Sequence, residues 1–142
     1  MTAAATLDPR GMRFAAAVTS AVLVAILVTG SGWLALGQAA VFAITAASPA
    51  RGPYALIFRH LVAPRLGPPR EREEVAPVRF AQVVGLLFTT VAAVAFLIGS
   101  SVLGLVMTGA ALIAAFLNAA FGLCLGCEAY LALRRLAARR VS

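Results

Sequence analysis

The sequence predicts an all-α membrane protein with four transmembrane helices, built as two tandem hairpins with both termini in the cytoplasm. Of its 142 residues, 62% are hydrophobic and 12% are charged, and the mean hydropathy is +0.97. Two long segments, residues 14–50 and 80–127, contain no Asp, Glu, Lys or Arg. Soluble domains of this size do not have that composition.

The length of the two uncharged segments sets the number of spans. As α-helix they would measure about 55 and 72 Å, whereas the hydrocarbon core of a bilayer is about 30 Å thick. Each segment therefore has to cross twice. We predict helices over residues 13–29, 33–47 and 79–98, and a last helix from residue 102 to beyond residue 133 that leaves the lipid as a cytoplasmic stalk.

The arginines orient the predicted helices. All twelve basic residues are arginines, and the formal net charge is +7. They lie before, between and after the two uncharged segments, so two crossings per segment bring all of them to one side. The positive-inside rule makes that side the cytoplasm. This distribution predicts a multi-pass protein of the bacterial inner (plasma) membrane, with the lipid bilayer and not nucleic acid as its partner.

The chain forms one transmembrane domain, residues 1–142, in this prediction. Hairpin one covers residues 13–47, a cytoplasmic connector covers 48–78, and hairpin two covers 79–138. The triplet starting at Arg13 (Arg-Phe-Ala) recurs at Arg79, which indicates a duplicated hairpin. Within the connector, residues 53–66 begin with proline and mix apolar with basic side chains, a pattern typical of an interfacial helix.

The inventory of reactive side chains is short. With one His, two Cys, one Asp and four Glu, the chain lacks the parts for serine-hydrolase, two-metal or carboxylate-pair mechanisms. We assign no cofactor and no metal site. What remains is Cys124-Leu-Gly-Cys127. On a continuous helix both cysteines would face one side, which allows a dithiol, a strained disulfide or a pair of soft metal ligands.

The predicted position of the cysteine pair favours redox chemistry. Cys124 would lie about 33 Å along the last helix, at the cytoplasmic interface. The cytosol is reducing, which disfavours a structural disulfide and favours a redox-active or sulfur-carrying pair. Arg134 and Arg135 on the same helical face would favour the thiolate, whereas Glu128 would oppose it. The alternatives are that the cysteines merely pack, or that they bind a metal with His60 and Glu128.

Gln38 and Asn118 are the polar side chains deepest in the uncharged segments. Such groups turn inward in a membrane, so we expect them to form interhelical hydrogen bonds or to line a polar path. Neither segment contains an ionisable side chain of Asp, Glu, Lys or Arg, which argues against a proton relay or an ion pump.

A resemblance joins these features. The Asp8-Pro9-Arg10 entrance, the four apolar helices and the closing segment 121–130 resemble a bacterial membrane family catalogued as a domain of unknown function. The resemblance covers roughly residues 7–136, and Cys124-Leu-Gly-Cys127 is its most specific element. Genes of that family often lie beside those of thioredoxin-like and thiosulfate-sulfurtransferase proteins, which implies thiol or sulfur metabolism.

We therefore expect a membrane-bound thiol-redox or sulfur-handling protein. Its Cys124 and Cys127 would exchange electrons or sulfane sulfur with a cytoplasmic thioredoxin-like or rhodanese-like (sulfurtransferase) partner. The alternative is a non-enzymatic accessory or packing subunit of a membrane complex or transporter, with structural cysteines, which could be a homo-oligomer. The sequence assigns neither a substrate nor a reaction, and so does not decide whether the protein is an enzyme.

Overall fold

A computed structural model describes residues 6–7, 9–48, 52–66 and 73–141 of the chain. Arg51, Arg70 and Arg72, three of the arginines between the two uncharged segments that orient the predicted helices, lie outside these residues. Two short strands, β1 (Thr6–Leu7) and β2 (Glu73–Glu74), pair antiparallel. All other regular structure is helical: α1 (Pro9–Thr29), α2 (Gly32–Ala47), α3 (Pro53–Ile57), a π-helical turn (Phe58–Val62), α4 (Ala63–Leu66), α5 (Val75–Leu97), α6 (Ser101–Phe121) and α7 (Leu125–Val141).

Three helices are long and apolar enough to cross a membrane: Arg10–Thr29, Ala76–Leu97 and Ser101–Phe121. Gly32–Ala47 is equally apolar in character but has only 16 residues. At 1.5 Å per residue it reaches about 24 Å, somewhat less than the hydrocarbon core. The structure thus has the all-helical, apolar character expected of a membrane protein, with three full-length candidate spans.

Two glycine turns join the apolar helices. Gly30 (φ +63°) ends α1, and the Ser31 hydroxyl accepts a hydrogen bond from the backbone N–H of Leu34 (3.1 Å) to cap α2. Gly99 (φ +91°) lies in the turn between α5 and α6. Left-handed backbone favours glycine, which explains why each turn carries one. Both turns fall where the sequence predicts them.

Packing is most extensive between the two halves of the chain. α1 packs mainly against α6, and α2 packs against α5, while α1 and α2 touch each other little. A side chain at Gly85 would meet the Phe42 ring of the other half at 2.7 Å. Within the second half, a side chain at Gly104 would meet the ring of Phe96 at 2.7 Å. Small residues that admit a neighbour closely are the usual means of helix association in lipid.

Two arginines bind the halves together at one end of the bundle, which we call the arginine end. Arg13 of α1 donates from Nη2 to the last carbonyls of α6, residues 119–120, each at 3.2 Å. Arg79 of α5 donates to the last carbonyls of α2, residues 46–47, at 2.9 and 3.1 Å. Each cation satisfies carbonyls that have no partner within their own helix and complements the helix dipole.

The helical segment of residues 53–66, here called the connector helix, also packs at the arginine end. Its Phe58 is buried and lies against Phe14 of α1, with ring centroids 5.9 Å apart. A side chain at Gly11 would meet the Phe58 ring at 3.1 Å, so α1 approaches this ring closely. On the other face Leu61 is 65% exposed. The connector helix is thus anchored in the bundle by one face.

The last helix differs from the prediction. Instead of one helix running from residue 102 to beyond residue 133, α6 ends at Phe121 and α7 begins at Leu125. The reason is Gly122, which adopts a left-handed conformation (φ +69°) and terminates α6. The predicted stalk is therefore a separate helix, which packs against α5 and exposes every residue from 131 to 140.

A thiol pair at the edge of an interior cavity

Cys124 and Cys127 form a disulfide, with their Cα atoms 5.2 Å apart. The continuous helix predicted for them does not form, because Cys124 lies just before α7 and Cys127 lies in its first turn. Cys124 precedes α7, and its Sγ accepts a hydrogen bond from the backbone N–H of Cys127 (3.2 Å), while its carbonyl accepts from the N–H of Glu128 (3.0 Å). Cys124 thus occupies the capping position of α7, where unpaired backbone N–H groups converge.

Contacts between α7 and α5 fix the position of Cys124-Leu-Gly-Cys127, which we call the thiol motif. A Cβ on Gly126 would lie 2.6 Å from both Cα and Cβ of Ala81, so the first turn of α7 rests directly on the α5 backbone. The neighbouring rings of Phe80 and Tyr130 are 5.7 Å apart. The absence of a side chain at Gly126 permits this close approach. Gly122, by contrast, is exposed and serves as a helix terminator rather than a packing site.

The residues predicted to modulate the thiols have different surroundings. Glu128 lies exposed in the first turn of α7. The Arg134 guanidinium lies over the Tyr130 ring, 5.9 Å from its centroid, in a cation–π contact. Arg135 is exposed on α7. Cys124 lies one residue before α7 and Arg135 lies within it, so the two are not part of the continuous helix that the sequence predicts.

Sequence reasoning about the cysteines missed Arg13. Its Cδ and Nε lie 3.9 Å from the point that a Cβ of Gly122 would occupy, so this cation sits beside the segment leading to Cys124. A signal was present, because the triplet at Arg13 repeats at Arg79. Only the packing of α1 against α6 shows that the first copy lies next to the thiol motif.

A half-open cavity of about 730 Å³ lies between the two halves of the bundle, and Cys124 is among the residues that line it. Its volume is within the range of small-molecule sites. The walls are mostly Ala, Gly and aromatic side chains from α1, α2, the connector helix, α5 and α6. The polar residues among them include Thr19, Gln38, Tyr54, Gln82, Asn118 and Cys124.

Gln38 is the most deeply buried amide in this cavity wall, at 2% exposure. Its Oε1 accepts a hydrogen bond from the Tyr54 hydroxyl at 2.7 Å. Its Nε2 is buried and has no hydrogen-bond partner within the described part of the chain. Burial raises the pKa of Tyr54, so this phenol stays a donor at neutral pH. The second predicted polar residue, Asn118, is half-buried in the last turn of α6.

The sequence profile of one family, described as a domain of unknown function, DUF4395, matches residues 7–135 of the chain. The chain belongs to the DUF4395 family. The predicted resemblance is thereby confirmed, and the matched region contains the thiol motif. No curated protein and no solved structure matches the chain.

For this DUF4395 protein, the described residues do not provide the ligands that the metal-binding alternative requires. Over residues 6–7, 9–48, 52–66 and 73–141, His, Cys, Asp and Glu side chains do not gather in a group of three or more. His60 lies exposed on the connector helix. The cysteine pair therefore has to be understood from its disulfide, its capping position and the adjoining cavity.

Proposed function

We propose that this protein is a membrane-bound thiol-redox protein, in which the Cys124–Cys127 pair cycles between disulfide and dithiol. One observation carries the proposal: a half-buried disulfide at the start of α7, whose Cys124 also lines an interior cavity. Cysteines in a Cys-x-x-Cys motif at a helix N-terminus are typical of redox-active pairs. A thioredoxin-like protein in the cytoplasm is the proposed partner.

The capping geometry assigns different roles to the two sulfurs. A thiolate of the partner attacks Cys127 Sγ, and the electron pair of the broken S–S bond goes to Cys124. The N–H of Cys127 and the helix N-terminus stabilise the negative charge on Cys124 Sγ. The second thiol of the partner then displaces Cys127. In sum, the pair gains two electrons and two protons, and the partner's dithiol becomes a disulfide.

A rhodanese-like partner would use the same pair for sulfur transfer. The Cys124 thiolate would accept a sulfane sulfur from the partner's persulfide, leaving the partner as a thiolate. The Cys127 thiol would then attack Cys124 Sγ, so the Cys124–Cys127 bond forms, the bond from Sγ to the outer sulfur breaks, and that sulfur leaves as hydrogen sulfide. Release of sulfide would distinguish this route from electron exchange alone.

The redox proposal is tested in membrane vesicles by counting free thiols before and after mild oxidant and reductant. The wild type should shift by two alkylated thiols. Cys124→Ser should retain one thiol that forms a mixed disulfide through Cys127, the sulfur that the partner attacks, whereas Cys127→Ser should form it less readily. If the pair resists both reagents and the double Ser variant supports full growth where the gene is needed, the cysteines are structural and the protein is an accessory subunit.

We further propose that α2 is a fourth span, that the chain forms two hairpins with both termini in the cytoplasm, and that it resides in the bacterial inner membrane. The gathering of Arg13 and Arg79 at one end supports this orientation. In a background lacking both native cysteines, Ser101→Cys should label from outside intact cells and Arg140→Cys should not. Labelling of Arg140→Cys but not of Ser101→Cys from outside would contradict this orientation.

A further inference from the structure

We propose that the interior cavity binds a quinone, with Gln38 donating a hydrogen bond to a quinone carbonyl oxygen. Gln38 and Cys124 are both among the residues that line this cavity. The proposal of a binding site depends only on the cavity and Gln38. The electron transfer described below rests on the proposed thiol-redox function.

The buried Nε2 of Gln38 calls for an acceptor. The amide oxygen of Gln38, Oε1, already accepts a hydrogen bond from the Tyr54 hydroxyl, and the whole side chain is 2% exposed. A buried N–H without a partner is costly, so such a group in a cavity wall points to a ligand that supplies an oxygen. The donor is neutral, which suits a carbonyl.

The walls restrict the class of ligand. Phe42, Phe80 and Phe88 are among the residues that line the cavity, together with many alanines. Such walls suit a flat apolar ring with an apolar tail. Of the described residues that line the cavity, Arg59 alone carries a charge. An anion would need several charged or polar donors on all sides, so a neutral carbonyl compound from the bilayer fits better.

Among apolar carbonyl compounds, a quinone is the one whose redox chemistry matches that of the cysteine pair. A dithiol gives up two electrons and two protons when it becomes a disulfide, and a quinone takes up two of each when it becomes a quinol. In the proposed step Cys124 and Cys127 lose their protons, the S–S bond forms, and the electron pair passes to the quinone. Quinones dissolve in the bilayer, so the substrate can enter and its product can leave through the lipid.

Binding is tested with two probes that share a tail, decylubiquinone and decylbenzene, on the disulfide form of the protein in phospholipid nanodiscs. The wild type should bind decylubiquinone about tenfold more tightly than decylbenzene, the ratio expected for one good hydrogen bond. Gln38→Leu should abolish that preference while keeping its affinity for decylbenzene. Gly109→Ala, where no neighbour lies within 4 Å, is the matched control and should keep the preference.

The double variant Cys124→Ser/Cys127→Ser separates the two proposals. It should still prefer decylubiquinone, because the donor is Gln38. Reduced wild type mixed with decylubiquinone should form one quinol for each disulfide regained. Equal affinity for both probes in the wild type, or a preference that survives Gln38→Leu, would overturn the quinone site even if thiol exchange with a soluble partner proceeds. Quinone binding without quinol formation would overturn the electron-transfer step.

Discussion

Arg13 and Arg79 occupy equivalent places in the two halves of the chain, and each caps the helix that ends the other half's apolar segment. Arg13 donates to the last turn of α6, and Arg79 donates to the last turn of α2. The next residue in each case is a phenylalanine that packs on an aromatic ring of the helix after that half's apolar pair: Phe14 on Phe58 of the connector helix, and Phe80 on Tyr130 of α7. The repeat therefore extends beyond the apolar helices to the connector helix and α7.

Removing either arginine should loosen the arginine end. Arg13→Ala and Arg79→Ala each leave two carbonyls without their cationic donor, and we expect a loss of about 0.3–1 kcal/mol in the free energy of unfolding. Thermal unfolding in detergent measures it. Arg140→Ala, in the last turn of α7, removes the same charge elsewhere and is the control. Equal effects of all three changes would show that net charge and not capping is responsible.

Adding a methyl group to Gly126 should displace the thiol motif. A Cβ there would lie 2.6 Å from the Ala81 backbone, which cannot yield as a flexible side chain can. We expect Gly126→Ala to destabilise the protein by about 1–3 kcal/mol. Gly109→Ala in α6 meets open space and should be neutral or slightly stabilising. Unfolding of both variants in detergent gives the comparison, and similar stabilities would argue against the close contact of α7 with α5.

The left-handed Gly122 should be replaceable by Asn more easily than by Ala. At φ +69° an alanine costs about 1–2 kcal/mol, and asparagine tolerates this conformation better. Gly122→Ala should also favour continuation of α6 through the break, so the disulfide should form more slowly after reduction. The rate of disulfide formation in Gly122→Ala and Gly122→Asn is the measurement. Indistinguishable rates would contradict a role for the break in positioning the thiols.

The Tyr54–Gln38 hydrogen bond should make stability depend on pH only in the alkaline range. Burial raises the pKa of Tyr54 in the folded state above the 10.0 of the unfolded chain, so its contribution is complete below pH 10 and is lost as the pH rises through the folded value. Tyr54→Phe should cost about 1 kcal/mol at pH 7–9. Its difference from the wild type should shrink above pH 10, as followed by denaturant unfolding. If the difference in stability between Tyr54→Phe and the wild type stays constant above pH 10, ionisation of Tyr54 does not contribute to the pH dependence of stability.

Much of the architecture follows from local pattern alone. Residues 14–50 and 80–127 lack charges, and this requires apolar helices whatever their packing. Gly30 and Gly99 mark the turns because left-handed backbone is open mainly to glycine. Arg13 and Arg79 lie near the ends of two of those helices, because charged side chains avoid apolar surroundings. Each of these inferences uses only residues that are close to one another in the sequence.

Tertiary packing decided the rest. Whether Gly122 continues a helix or ends it depends on where α7 can dock, and it docks where Gly126 meets Ala81. The partner of Gln38 could not be inferred either, because Tyr54 reaches it from a separate helix. The cavity arises from the fit between the two halves. The sequence alone determined which segments are apolar and uncharged and identified the cysteine pair, since hydrophobicity and spacing are local, whereas contacts between distant helices required the fold.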